Sequence, residues 1–184
     1  MSTKNYNRIE SRYGGITLEG VPHPLSAWFI VLLRLAMGGM MLFAGIGKVT
    51  GEGFNAAGYL GSREAASPVS GLYGMMAESA LLVDMINVII PATQILIGVA
   101  LIAGIFVRLA ALGGAIQMMA FYLGGWEGEM MALFDSTLIY AIVFLALGAF
   151  AAGRILGVDK WIETVKVGEQ QLVERWPKLR YLLG

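Results

Sequence analysis

The sequence predicts an all-α integral membrane protein, a bundle of four spanning helices with both termini on the cytoplasmic side, on three observations. The chain is 57% hydrophobic and only 14% charged, with a mean hydropathy of +0.69, against roughly 25% charged residues in ordinary soluble domains. Four apolar stretches each approach the roughly 20 residues that a helix needs to cross a hydrocarbon core about 30 Å thick. Lys and Arg gather at alternate connections between those stretches, the pattern of the positive-inside rule. At 184 residues there is room for one bundle and little else, divided as 1–24, 25–153 and 154–184. A formal net charge of zero gives no bias toward nucleic acid.

Residues 1–24 are a polar cytoplasmic segment, and Pro22-His23-Pro24 leads stiffly and in extended form into the first span. The apolar run that follows exceeds the roughly 7 to 15 residue core of a cleavable signal peptide, so 26–48 is expected to be a retained span. The outer connection, 49–84, is long for a bundle and is expected to carry structure. Ser67-Pro68 resembles an N-cap and first helical position, and Val69, Leu72, Tyr73, Met76 and Ala80 follow at helical spacing. A second short helix is expected over 54–60. The pair either roofs the outward end of the bundle or anchors at the membrane interface. Residues 85–106 and 107–124 form one apolar tract, too long for a single crossing and suited to two spans joined by a tight turn at Gly104 and Arg108. The fourth span covers 133–152. Beyond Arg154, Val158, Trp161, Ile162, Val165, Leu172 and Trp176 fall roughly on one side of an amphipathic interfacial helix that Pro177 ends.

Orientation follows from the cations. Lys4, Arg8 and Arg12 precede the first span, Arg108 lies in the second connection, and Arg154, Lys160, Lys166, Arg175, Lys178 and Arg180 follow the fourth, so these are expected inside. The first connection sets Arg63 against Glu52, Glu64, Glu78 and Asp84, and the third carries Glu127 and Glu129 without a cation. Both are expected to face outward.

Several chemistries are excluded. With no Cys, the chain performs no thiol-disulfide exchange, holds no thiolate iron-sulfur cluster and builds no ordinary structural zinc site. The one imidazole, His23 between two prolines, reads as a solvated linker residue and leaves no pair for a haem. The eleven Met residues lack accompanying metal ligands and read as core packing. No phosphate loop and no Ser-His-Asp set can be assembled. No metal site is expected, and any redox role requires a lipid-soluble organic carrier or a partner's cofactor.

Arg34 is the most informative residue, a cation inside the apolar run from Leu25 to Val49. At the bilayer centre an Arg costs about 2.5 to 3.5 kcal/mol even on the lenient insertion scale, so it is held for a partner, cavity or ligand, unless it snorkels to the nearer interface. Arg34, Gly38, Met41, Gly45 and Lys48 recur by four and three residues and share one helix face. The two cations are about 21 Å apart along that face, too far for one small ligand. Gly38 and Gly45 let a second helix, or a flat ring, approach the backbone. Gln94, Gly98, Leu101, Ile105 and Arg108 repeat the spacing. Gln94 and Gln117 fall near mid-span, where their amides can bond to Arg34, to each other or to a carbonyl. Near the outer face Glu78, Asp84, Asp135 and Tyr140 form an expected polar cluster, joined by Asn87 and Thr137, with an ion-pair network around Lys48.

These residues carry a family resemblance. Arg34-x3-Gly38-x6-Gly45-x2-Lys48, Gln94-x3-Gly98-x5-Gly104-x3-Arg108 followed by Leu109-Ala110-Ala111, and Gly148 with Gly153-Arg154 and Gly157-Val158-Asp159 resemble the DoxX family of four-helix membrane proteins. That family includes the large DoxD subunit linked to thiosulfate:quinone oxidoreductase. The resemblance spans about Leu33 to Asp159, and the closing Leu179-Arg180-Tyr181-Leu182-Leu183-Gly184 looks most like archaeal members. It implies a respiratory or sulfur-redox association in which a quinone or lipid is contacted without a metal or covalent cofactor of the chain's own. Family members commonly carry Glu where this chain has Gln94, which cannot ionise, so proton transfer there is not expected. On this reading Arg34 and Lys48 orient a quinone carbonyl or lipid headgroup, with Gln94 and Gln117 as neutral partners, and Arg34 seeks its anion outside the chain's deep carboxylates.

Three functions remain open: a quinone-linked subunit working through membrane protein partners, a non-catalytic assembly subunit, and a small transporter. The last has least support, because the spans hold few ionisable groups and one mid-span proline, Pro91. Homo-oligomerisation is equally open, since 25 Gly supply small helix-packing surfaces.

Overall fold

The computed structural model describes residues 9–13, 16–20, 23–51, 54–62, 66–167 and 170–183. Lys4, Arg8, Glu52, Arg63 and Glu64, used above for orientation, lie outside the described residues. An antiparallel hairpin, β1 (Ile9–Tyr13) with β2 (Ile16–Gly20), precedes the bundle. The chain then forms α1 (Ser26–Thr50), α2 (Ala56–Gly61), α3 (Ser70–Glu78), α4 (Ala80–Ala103), α5 (Val107–Gly124) and α6 (Ser136–Ala149). Helices α1, α4 and α5 are long and apolar enough to cross a membrane, and α6 is a shorter apolar helix of 14 residues. Its length, about 21 Å at the helical rise, is continued by 3-10 turns at Met130–Phe134 and Ala152–Arg154.

The bundle is two tight helix pairs, α1 on α4 and α5 on α6, joined through α4 against α5. Lipid removes the hydrophobic drive between helices, so close backbone packing must hold such pairs together. The buried face of α1 is Arg34, Met37, Gly38, Met41 and Gly45, the face read from the sequence. A Cβ on Gly98 would sit 2.6 Å from the Leu42 nitrogen, and one on Gly45 would sit 2.9 Å from the Pro91 carbonyl oxygen. The stripe glycines thus receive a helix, not a ring. In the other pair the Phe144 ring occupies the space of a Gly114 side chain. Met37, Met41, Leu101, Val107, Met118, Phe144 and Leu147 fill the core between the pairs. Trp28, Phe29, Leu32, Phe43, Leu96 and Ile142 point outward, as lipid-facing side chains do.

The boundaries shift in places. Helix α4 starts at Ala80, ahead of the expected Met85, because the Ser79 hydroxyl caps it by accepting from the Leu82 N–H. It ends at Ala103, so Ile105 and Arg108 fall beyond it and do not share the Gln94 face. Ser67 and Pro68 form a turn before α3, not its first residues, with the Ser70 N–H donating to the Ser67 carbonyl. The tail beyond Arg154 breaks into α7 (Val158–Thr164), a two-residue hairpin of β3 (Lys166–Val167) with β4 (Gln170–Gln171), α8 (Leu172–Arg175) and a 3-10 turn over Pro177–Tyr181. β-Branched Val165 and Val167 take extended backbone there, and Pro177 opens the last turn instead of closing a helix.

Candidate functional site

The two cations of α1 mark the two ends of the bundle, and the structure gives each end a different task. At the first end Arg34 is 2% exposed. Its guanidinium donates to the carbonyl oxygens of Ala152 at 2.5 Å, Ile155 at 3.0 Å and Leu156 at 3.1 Å. These carbonyls lie in the connection beyond α6, and that of Ala152 also accepts the Ile155 N–H at 3.3 Å. Asp159, fully buried, lies within Coulombic reach of the same guanidinium. Its carboxylate accepts the backbone N–H groups of Phe106 at 2.7 Å and Val107 at 3.0 Å, the N-terminus of α5, where an anion is favoured. The Asp159 N–H in turn donates to the Gly104 carbonyl at 2.9 Å.

Arg34 and Asp159 therefore clasp α1, the α4–α5 turn and the α6–α7 connection together. Gly104 turns in the left-handed region at φ +69°, and a Cβ there would stand 2.8 Å from Arg34 Nη1. A Cβ on Gly157 would meet the same atom at 2.8 Å, and one on Gly153 would overlap the Asp159 carboxylate. The expectation that Arg34 snorkels or takes its anion from outside the chain is corrected. Its two terminal nitrogens donate to backbone carbonyls, its Nε has no hydrogen-bond partner among the described residues, and the neighbouring charge is Asp159, which belongs to a segment read as an interfacial helix.

The second end holds a cavity of about 850 Å³. Lys48 of α1, Ile86 and Ile90 of α4, and Ala120, Phe121 and Tyr122 of α5 wall it. Helices α2 and α3 close over it with Tyr59, Leu60, Tyr73 and Met76. Three roof hydroxyls reach the last turns of α5: Tyr73 donates to the Ala120 carbonyl at 3.0 Å, Tyr59 to that of Phe121 at 3.4 Å and Ser67 to that of Leu123 at 2.7 Å. On the other side the Asn87 side chain of α4 accepts the Ala56 N–H at 2.7 Å, at the start of α2. Gly124 makes room for this seating, since a Cβ there would lie 2.7 Å from the Tyr73 ring.

The cavity is mostly apolar with few polar groups, the usual make-up of a small-molecule site. Lys48 Nζ donates to the Ala44 carbonyl at 3.4 Å and stands 5.6 Å from the centre of the Phe54 ring. Glu127, Glu129 and Asp135 also line the cavity. The Asp135 carboxyl is held below the usual carboxylate range, chiefly by the Thr137 hydroxyl and then by the Thr137 N–H at 2.7 Å. It is ionised at neutral pH.

A second concavity of about 610 Å³ runs between α4 and α5, from Phe106 and Leu109 toward Ile116 and Ala120. It shares Ile90 and Ala120 with the roofed cavity. Its polar residues are Thr93 and Gln117. The Thr93 hydroxyl donates to the Ile89 and Ile90 carbonyls at 2.8 and 3.0 Å, and Gln117 Nε2 donates to Thr93 Oγ1 at 3.4 Å. Gln117 Oε1 is buried without a hydrogen-bond partner among the described residues, as is Gln94 Oε1 deeper in the bundle.

Of the four ligand candidates, Lys48 lines the cavity and Gln117 the groove, whereas Arg34 and Gln94 line neither. The outer polar residues do not assemble. Glu78 and Asp84 are exposed, Tyr140 packs against the core and Asp135 lines the cavity. No ion pair joins Lys48 to Glu78, Asp84 or Asp135 among the described residues, so the expected network around Lys48 is absent there. Tyr59, Tyr73, Ser67 and Gly124 were not singled out for the site. The aromatic-and-hydroxyl content of the outer connection is the sequence signal for the first three, and Gly124, at the end of α5, carries none.

Fold and site define a small helical membrane protein with one clasped end and one roofed, cavity-bearing end. The DoxX family model matches residues 29–125, more than half of the chain, and the protein belongs to the DoxX family. Nothing matches among curated proteins or solved structures.

Proposed function

We propose that this DoxX protein is a quinone-linked membrane subunit that holds a lipophilic carbonyl ligand under the α2–α3 roof and works through protein partners of a respiratory or sulfur-redox complex. The observation that carries this reading is Lys48. It is a half-buried ammonium with no carboxylate within ion-pair distance among the described residues, set in the wall of a large apolar cavity. Glu127, Glu129 and Asp135 line the same cavity without an ion pair to Lys48 among the described residues, so the ammonium keeps donors for a ligand. A quinone oxygen accepts a hydrogen bond from an ammonium while its ring and tail favour apolar walls. Helix packing already accounts for the glycines and the clasp for Arg34, which leaves Lys48, of the two cations on the α1 face, to meet a ligand.

The test is equilibrium binding of a decyl-substituted benzoquinone to the full chain in lipid nanodiscs. Lys48→Ala is expected to weaken it about tenfold, the cost of one charge-assisted hydrogen bond. Equal binding by the wild type and Lys48→Ala would remove the reading. Co-purification at native expression should return partner subunits. Recovery of the chain alone would count against the complex.

A further inference from the structure

Gln117 is a polar residue lining the otherwise apolar groove between α4 and α5. Thr93 spends its proton on the Ile89 and Ile90 carbonyls, so its oxygen is an acceptor and the Gln117 group facing it must be the NH2. That fixes the amide. Gln117 Oε1 is then an acceptor, buried and unpartnered among the described residues, on a side chain that is 7% exposed and belongs to the residues lining the groove. A buried acceptor left bare costs about 1 to 3 kcal/mol, which a donor from a ligand recovers. An oxidised quinone ring offers no such donor. Its hydroquinone offers hydroxyl hydrogens.

Two further features select the head and the tail. The cavity sets one ammonium, Lys48, against the carboxylates of Glu127, Glu129 and Asp135, so an anionic phosphate or fatty-acid head meets net repulsion there. The groove runs about 21 Å along α5 from Phe106 to Ala120, at the helical rise, with outward-facing Leu96, Leu109 and Ile116 on its walls. It meets the cavity at Ile90 and Ala120, beside Gln117. Resting on the reading above, we infer that the groove takes the tail of a neutral single-chain amphiphile and that Gln117 accepts from its hydroxyl, so the site prefers hydroquinone to quinone.

Native mass spectrometry of the full chain in detergent micelles, titrated with decylubiquinone or with decylubiquinol under dithionite, tests this. The chain has no Cys, so the reductant leaves its covalent structure unchanged. The wild type is expected to bind the hydroquinone about fivefold more tightly, the worth of one hydrogen bond, and Gln117→Leu and the near-isosteric Gln117→Met to bind both forms alike. Equal affinities in the wild type, or a preference that survives in both variants, would overturn the inference and leave the Lys48 cavity reading standing. Binding of neither form would overturn both.

Discussion

Arg34 shows how a buried charge is stabilised in a membrane protein without a ligand. Its guanidinium has three backbone carbonyls and a nearby carboxylate, in the planar, forked arrangement that suits Arg and not Lys. Arg34→Ala leaves Asp159 buried beside α5 without its cation and is expected to cost about 3 to 5 kcal/mol. A thermal unfolding scan in detergent reads this as a large fall in midpoint, which Arg34→Lys restores only in small part. Wild-type stability in Arg34→Ala would show that the clasp carries no load. The sequence marked Arg34 as unusual but not its anion. Asp159 lies far along the chain in a stretch whose alternating charges read as a membrane-surface helix, and only the fold brings it back. Asp135 gives a second residue-scale prediction. Its lowered pKa comes chiefly from Thr137, so Thr137→Val is expected to raise it toward the ordinary carboxylate value in a carbon-detected NMR titration. A carboxyl lowered on folding contributes above its unfolded pKa and loses that contribution as pH falls through the folded value. The exposed position of Asp135 keeps the effect on stability small.

At the scale of elements, glycine decides which helices pair. The four-and-three spacing of Gly38, Gly45 and Gly98 was legible because close helix packing has a short sequence period, and the structure seats those residues where backbone meets backbone. Gly98→Val is expected to force α1 from α4 and lower stability by about 2 kcal/mol or more, within the range of an overpacked core. Gly124 makes a more selective test. Gly124→Leu displaces Tyr73 and Tyr59 from the end of α5, so amide exchange should rise in α2 and α3 while α1, α4 and α5 keep their protection. Unchanged exchange in the roof would contradict its attachment through those tyrosines. The roof helices were legible in outline from hydrophobic spacing in the outer connection. Their fastening was not, since it depends on hydroxyls meeting carbonyls at the end of a helix some 50 residues away. The β1–β2 hairpin was missed. Gly14-Gly15 between the two runs was its signal, passed over because the segment as a whole is polar.

For the whole molecule, the apolar stretches fixed the class, and the pairing of helices around the clasp and the roof depends on contacts that no local pattern encodes. On the positive-inside rule, the clasped end is expected to face the cytoplasm and the roofed cavity to face outward. A single Cys introduced at position 128 is expected to react with an impermeant maleimide on intact cells. Labelling only after permeabilisation would invert the arrangement. On the proposed function the roofed cavity is expected to hold a quinone-type ligand at Lys48, and Trp126 in its wall can report on it. The chain has four Trp, so replacing Trp28, Trp161 and Trp176 by Phe leaves Trp126 as the sole emitter. In nanodiscs, decylubiquinone should quench Trp126 saturably, and Lys48→Ala should shift the half-point upward about tenfold. Linear, non-saturating quenching that is the same with and without Lys48 would contradict it.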